Sequence, residues 1–269
     1  MRRGITLVLL LVPCIAQGAT IVVDPAGGGD YTQLQPAIDA AASGDVIEVE
    51  AGTYTGPFDL GGKELSIEST SGAGATVLDG ASTGQPVVTA ASGEPLGTAL
   101  VGFTVTGGEP GVLVGVGSAL ALVDSIVAAN GAVDGAGVLC EGGELDVSST
   151  TITGNTASLL GGGILLDDCP ATLVDATLSG NDALNGGGLA AFGSTGITWL
   201  GGSLSANTAG LQGGGAMYSA SGPLDWSGSE VTDNDATWGG GFFLGSGPEG
   251  SGQGAGANWE LQGLTVARN

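Results

Sequence analysis

Between Val127 and Asn269 one short word is written six times: an apolar residue, two variable residues and an asparagine. The copies are Val127-Ala-Ala-Asn130, Ile152-Thr-Gly-Asn155, Leu178-Ser-Gly-Asn181, Leu204-Ser-Ala-Asn207, Val231-Thr-Asp-Asn234 and Val266-Ala-Arg-Asn269. The asparagines step by 25, 26, 26, 27 and 35 residues, and a small glycine tract ends seven or eight residues after each of the first five. A period of this length marks a solenoid, in which each unit buries its apolar side only against its neighbours.

The unit itself reads as strands and tight turns. Five residues before the apolar repeat residue stand Val147, Leu173, Trp199, Trp226 and Leu261. Seven before stand Leu145, Ala171, Ile197, Leu224 and Trp259, and between the two rows lie Asp146, Thr172, Thr198, Asp225 and Glu260. This alternation predicts a strand with its large apolar residues inward and one polar row outward, in constant register over five units. A further strand is expected after each glycine tract, as at Val138-Leu-Cys140 and Ile164-Leu-Leu166. The prediction is therefore three short strands per coil of about 25 residues, wound as a right-handed, single-stranded parallel β-helix. The glycines supply crowded or left-handed turns. Asn130, Asn155, Asn181, Asn207, Asn234 and Asn269 are expected to stack as a structural ladder, amide on amide.

Three stretches make up the chain. Residues 1–19 read as a signal peptide: Arg2 and Arg3 precede an apolar core from Ile5 to Val12 that is too short to span a bilayer. Cys14 offers a lipoprotein anchor as the alternative, against which Pro13 argues. Residues 20–80 read as an N-terminal cap and first coils. There Thr32-Gln-Leu-Gln35 fits a capping box, Leu34, Ile38 and Ala41 share a helical face, and Gly44 suits a left-handed C-cap. Ala51-Gly-Thr-Tyr54 reads as a turn. Residues 81–269 are the repeat coils, with Phe103-Thr-Val-Thr-Gly107 as a degenerate early copy. The array reads as incomplete at Asn269, so that further coils or another chain are expected to stack there.

Composition narrows the partners. Lys and Arg number 4 against 27 Asp and Glu, with no His. Once a leader is removed, Lys63 and Arg268 are the remaining cations. Such a surface repels nucleic acid and anionic lipid unless metal ions intervene. No transmembrane segment is expected in the mature chain.

The opening Val23-Asp-Pro-Ala-Gly-Gly-Gly-Asp-Tyr-Thr-Gln-Leu-Gln-Pro-Ala-Ile-Asp39, with Gly44-Asp45 and Gly52-Thr-Tyr54, resembles the N-terminal coil of the pectin-lyase-like superfamily. The later coils resemble polymorphic outer membrane protein repeats, with Gly-Gly-Gly-Ile164 and Gly-Gly-Gly-Phe242 as the first repeat word and Ile, Leu or Val replacing Phe in the second. The first resemblance implies a β-helix that hosts polysaccharide lyases, hydrolases and methylesterases. The residues those activities imply are missing: Lys63 and Arg268 are poorly placed as lyase bases, and there is no His for a polygalacturonase-like site. The methylesterase Gln-Asp pair, Asp-Phe block and Arg do not follow the opening coil. No catalytic, cofactor or metal residue is therefore assigned.

What remains is surface. The row Asp146, Thr172, Thr198, Asp225 and Glu260 would suit a cation, calcium first among them, or the hydroxyls of a glycan laid along the rod. Equally, polar residues belong on the outside of any strand. Asp167-Asp168 and Asp233-Asn234-Asp235 offer oxygen ligands of the same kind, or simply solvated turns. Trp199 and Trp226 belong to the core by register, leaving Trp238 as the aromatic surface candidate. Cys140 and Cys169 form a candidate disulfide in an exported protein. The expectation is a non-catalytic, extracellular or outer-membrane β-helix acting in adhesion or envelope structure, with a glycan or a host or neighbouring cell-surface protein as partner. The alternative is a polysaccharide lyase or hydrolase with a divergent acidic site.

Overall fold

The computed structural model describes residues 18–193, 195–220, 222–245 and 259–269. The leader expected over residues 1–19 and the Gly/Ser-rich stretch from Gly245 to Ala257 lie almost wholly outside them. Within them the chain winds as a right-handed parallel β-helix. Its strands stack into four parallel sheets, here A to D, of ten, nine, eight and five strands respectively. Sheet A begins with Thr20–Val23, sheet B with Gly52–Thr55, sheet C with Phe58–Asp59 and sheet D with Gly131–Asp134.

Sheet A follows the expected register closely. Leu145, Val147, Leu173, Ile197, Trp199, Leu224 and Trp226 are all buried, and their strands pair residue for residue. Trp199 and Trp226 stack inside the rod with ring centroids 4.2 Å apart. Leu261 differs: predicted inward, it is 42 % exposed because no described strand follows it in sheet A.

The count of three strands per coil holds only for the early coils. From Gly131 onward each coil carries a fourth strand between its asparagine and its glycine tract: Gly131–Asp134, Thr156–Leu160, Asp182–Asn185, Thr208–Gln212 and Asp235–Trp238. These form sheet D. Its inward residues are mostly alanines, with Ala136, Ala157 and Ala183 making a small separate core. Ala51-Gly-Thr-Tyr54 is likewise mostly strand rather than turn, because Gly52–Thr55 pairs with Thr76–Asp79.

The glycine tracts close the corner between sheets D and C. Gly161 is left-handed at φ +61, and a Cβ on Gly163 would run into the Gly188 carbonyl and the Asn181 amide of the next coil. Beside them the asparagines from Asn130 to Asn234 are buried, while Asn269 is exposed. Each Oδ1 accepts both the backbone N–H and the Nδ2–H of the asparagine one coil earlier, at 2.9–3.1 Å from Asn130 to Asn269. Each Nδ2 also donates to an earlier carbonyl, as Asn155 does to Val127 O at 3.0 Å. The early copy at Phe103 lacks the asparagine, and Gly108 N donates to Asn130 Oδ1 in its place.

One helix, α1 (Leu34–Ala40), lies beside the first strands of sheets A and C with Leu34, Ala37 and Ile38 buried. The predicted capping box does not form. Gln33 is the N-cap and makes no side-chain bond, while Gln35 is drawn away to Asp39 and to the backbone of Asp59. The helix ends in an extended Ala41, so the left-handed Gly44 belongs to the following turn.

Candidate functional site

The outward row of sheet A is the most regular polar feature. Asp146, Thr172, Thr198, Asp225 and Glu260 are consecutive ladder partners, spaced by the inter-strand distance of about 4.8 Å. All are exposed but Thr198, which is half-buried. Two residues on runs a parallel outward row of Ser148, Val174, Leu200, Ser227 and Gln262, in which Leu200 is 40 % exposed. Gln262 Nε2 donates to Glu260 Oε1. The surface is thus a flat strip of carboxylates and hydroxyls beside a mixed polar and aliphatic strip.

Carboxylates meet in register at Asp225/Glu260, at Glu48/Glu68 and, on sheet C, at Glu141/Asp167. Like charges one coil apart repel unless a cation or a hydroxyl lies between them. At the second pair the Ser66 hydroxyl, two residues along the same strand, donates to Glu68 Oε1 at 2.6 Å. Among the described residues no group of three or more His, Cys, Asp or Glu side chains is placed to enclose a metal ion. Asp233 is held by Arg268 Nε at 2.6 Å, and the guanidinium keeps its carboxyl below the usual range.

The two cations flagged as lyase bases are engaged elsewhere. Lys63 Nζ donates to the carbonyls of Ile38 and Asp39 at 2.7 and 2.9 Å, satisfying the C-terminal end of α1. Arg268 is the partner of Asp233. Glu94 is an acid that sequence reasoning passed over. It is 1 % exposed, and burial alone would raise its pKa. N–H donors from Gly62 and Ser92, with the Ser118 hydroxyl, outweigh that and hold it below the ordinary value. It ties three coil segments together.

Cys140 and Cys169 are both buried and joined as a disulfide, with Cα atoms 5.9 Å apart. Trp238 is 56 % exposed, at the end of sheet D. Open clefts flank the rod among the described residues. One of about 460 Å³ is lined by Ser82, Gly107, Glu109, Ala132 and Thr156, where sheet D begins. Another, of about 320 Å³, lies between α1 and Tyr54. Burial, with Asp24 and Glu50 nearby, pushes the Tyr54 phenol up to about 12.

The face missed in the sequence is the outside of sheet D. Val133, Leu159, Leu184 and Leu211 are exposed there, one per coil, each directly before a paired ladder residue. Beside them runs the exposed row Thr156, Asp182, Thr208 and Asp235. A signal existed: an aliphatic residue recurs three or four positions after the first four asparagines of the repeat.

No protein-family model matches the chain, and no curated protein matches it in sequence. Among solved structures it is similar to pectin methylesterase from carrot, with a TM-score of 0.49 and 14% identity over 93% of this chain and 83% of that one. No helix among the described residues is long and apolar enough to cross a membrane.

Proposed function

We propose that this chain is an exported, non-catalytic β-helical rod that works by adhesion or in envelope structure, presenting its outer faces to extended polymers or surface proteins. The observation that carries the reading is the in-register row Asp146, Thr172, Thr198, Asp225 and Glu260. A row with one hydrogen-bonding group per coil offers a repeating ligand a repeating set of partners, which suits a glycan chain lying along the axis. Calcium is the cation that this row and the Asp225/Glu260 pair would take, since both offer hard oxygen ligands. The Cys140–Cys169 disulfide supports an oxidising, extracellular or cell-surface location.

The test is retention of the purified chain on a panel of neutral and acidic polysaccharides, with and without calcium, alongside an assay for new reducing ends and unsaturated products. Retention without turnover, lost in the pair Asp146→Asn/Asp225→Asn, is the expected result. Turnover abolished by a single carboxylate substitution would replace this reading with a polysaccharide lyase or hydrolase.

A further inference from the structure

Sheet D presents an exposed aliphatic residue in each of four successive coils. Val133 is 54 %, Leu159 45 %, Leu184 36 % and Leu211 38 % exposed; Trp238, 56 % exposed, pairs with Gln212 and so lies one position beyond the row. Leu159 and Leu211 sit in five-residue strands whose pairing shifts register at that point, whereas Leu184 sits in a four-residue strand. The extra residue in alternate coils sits between the same ladder partners, so each aliphatic residue lies within one position of its counterpart in the next coil, as Leu184 does beside Gly210 and Leu211. A contiguous apolar patch rimmed by polar groups marks a place where something docks.

The spacing and the charge together select the occupant. Apolar residues recur along the axis at about 4.8 Å. A helix laid parallel to the rod advances about 5.4 Å per turn, so it slips only about 0.6 Å per coil against the row. An extended strand brings same-side residues back every 6.6 Å or so, and its mismatch over the three coil steps of the row reaches about 5 Å, most of a repeat. A helix therefore offers one apolar residue to each coil, and a strand does not. Asp182 and Asp235 flank the row two coils apart, close to two helical turns, so basic residues seven apart on the helix would meet both. A second copy of this chain, itself carrying a formal charge of -23, would be repelled.

We propose that sheet D is a docking face for a cationic amphipathic α-helix of a partner protein, laid along the rod axis with its apolar stripe on Val133, Leu159, Leu184 and Leu211. This site is separate from the polar row of sheet A, and the two can succeed or fail independently.

The probe is a fluorescent Leu/Lys peptide with Leu at helical positions i, i+4, i+7 and i+11, long enough to span sheet D, read by anisotropy against a peptide of the same composition in scrambled order. The purified full chain should bind the patterned peptide more tightly by roughly tenfold. Leu159→Ser/Leu211→Ser should abolish that preference while leaving the circular dichroism spectrum unchanged, and Leu184→Lys should do the same through repulsion. Asp182→Asn/Asp235→Asn should weaken binding and flatten its salt dependence. Asp146→Asn/Asp225→Asn on sheet A should leave the preference intact. Equal affinity for both peptides, or a preference that survives Leu159→Ser/Leu211→Ser, would overturn the proposal. So would a dimer in sedimentation that Leu159→Ser dissolves, since the face would then belong to a second copy.

Discussion

The indole of Trp199 lies over that of Trp226, 15° from parallel, yet only one of the two has its N–H satisfied. Trp199 Nε1 donates to Gly201 O at 2.8 Å, whereas Trp226 Nε1 is buried with no partner. Both rings are buried, and their polar cost is unequal. Trp226→Phe should therefore destabilise less than Trp199→Phe, by about 1 kcal/mol or more, because it removes an unsatisfied donor rather than a hydrogen bond. Urea unfolding of both variants checks this. An equal or reversed order would show that the unpaired N–H carries no cost.

Asn181 accepts from two groups of Asn155 and donates to Ile152 O and Asn207 Oδ1. Asn181→Ala strands those partners inside the rod. The expected loss is about 3 kcal/mol, well beyond that of an exposed asparagine. Hydrogen exchange should locate the damage at the Asn155 amide.

Glycines of the two corners should respond differently to an added methyl. Gly154 is left-handed with open space around it, so Gly154→Ala should cost about 1 kcal/mol of backbone strain. Gly163 meets the next coil's backbone, so Gly163→Ala should cost about 2–3 kcal/mol and shift the coil. Thermal melts of the two variants separate conformational from steric demand.

The disulfide closes a separation of 29 residues between buried cysteines. Cys140→Ala/Cys169→Ala should lower stability by roughly 3–4 kcal/mol on the chain-entropy account. In the parent, thiol alkylation in denaturant without reductant should leave both cysteines unmodified.

Glu94 links stability to pH. Its folded pKa is depressed, so its contribution is fully present above the unfolded value of about 4.3 and is lost as pH falls through the lower folded value. Stability should drop on acidification below about pH 4.5, and part of that drop should vanish in Glu94→Gln. Denaturant melts across the acid range, parent against variant, read the difference. Parallel acid limbs would exclude Glu94 as a source.

The asparagine row and the inward face of sheet A were legible because both keep a constant offset from a recurring word and bury large side chains. Sheet D was not. Its inward residues are alanines, and its large aliphatic residues face out, so Thr156-Ala-Ser-Leu-Leu160 carries no alternation that marks a buried strand. The capping box failed for a different reason. Gln35 has the right identity and spacing, but Asp39 and the backbone of Asp59 compete for its amide, and only folding brings the latter near. Glu94 was equally invisible, since its partners Gly62 and Ser118 lie in other coils.

The asparagine row also has a direction. In the bonds between asparagines the donors sit on the earlier coil and the shared acceptor on the later one, from Asn130 through Asn234. A chain that leaves a ribosome or a secretion pore amino end first thus folds against a template that waits for its successor: each finished coil holds out two N–H groups, and the next coil to emerge brings the oxygen that takes both. Assembly in that order leaves a single unsatisfied rung at the moving front, however long the rod becomes.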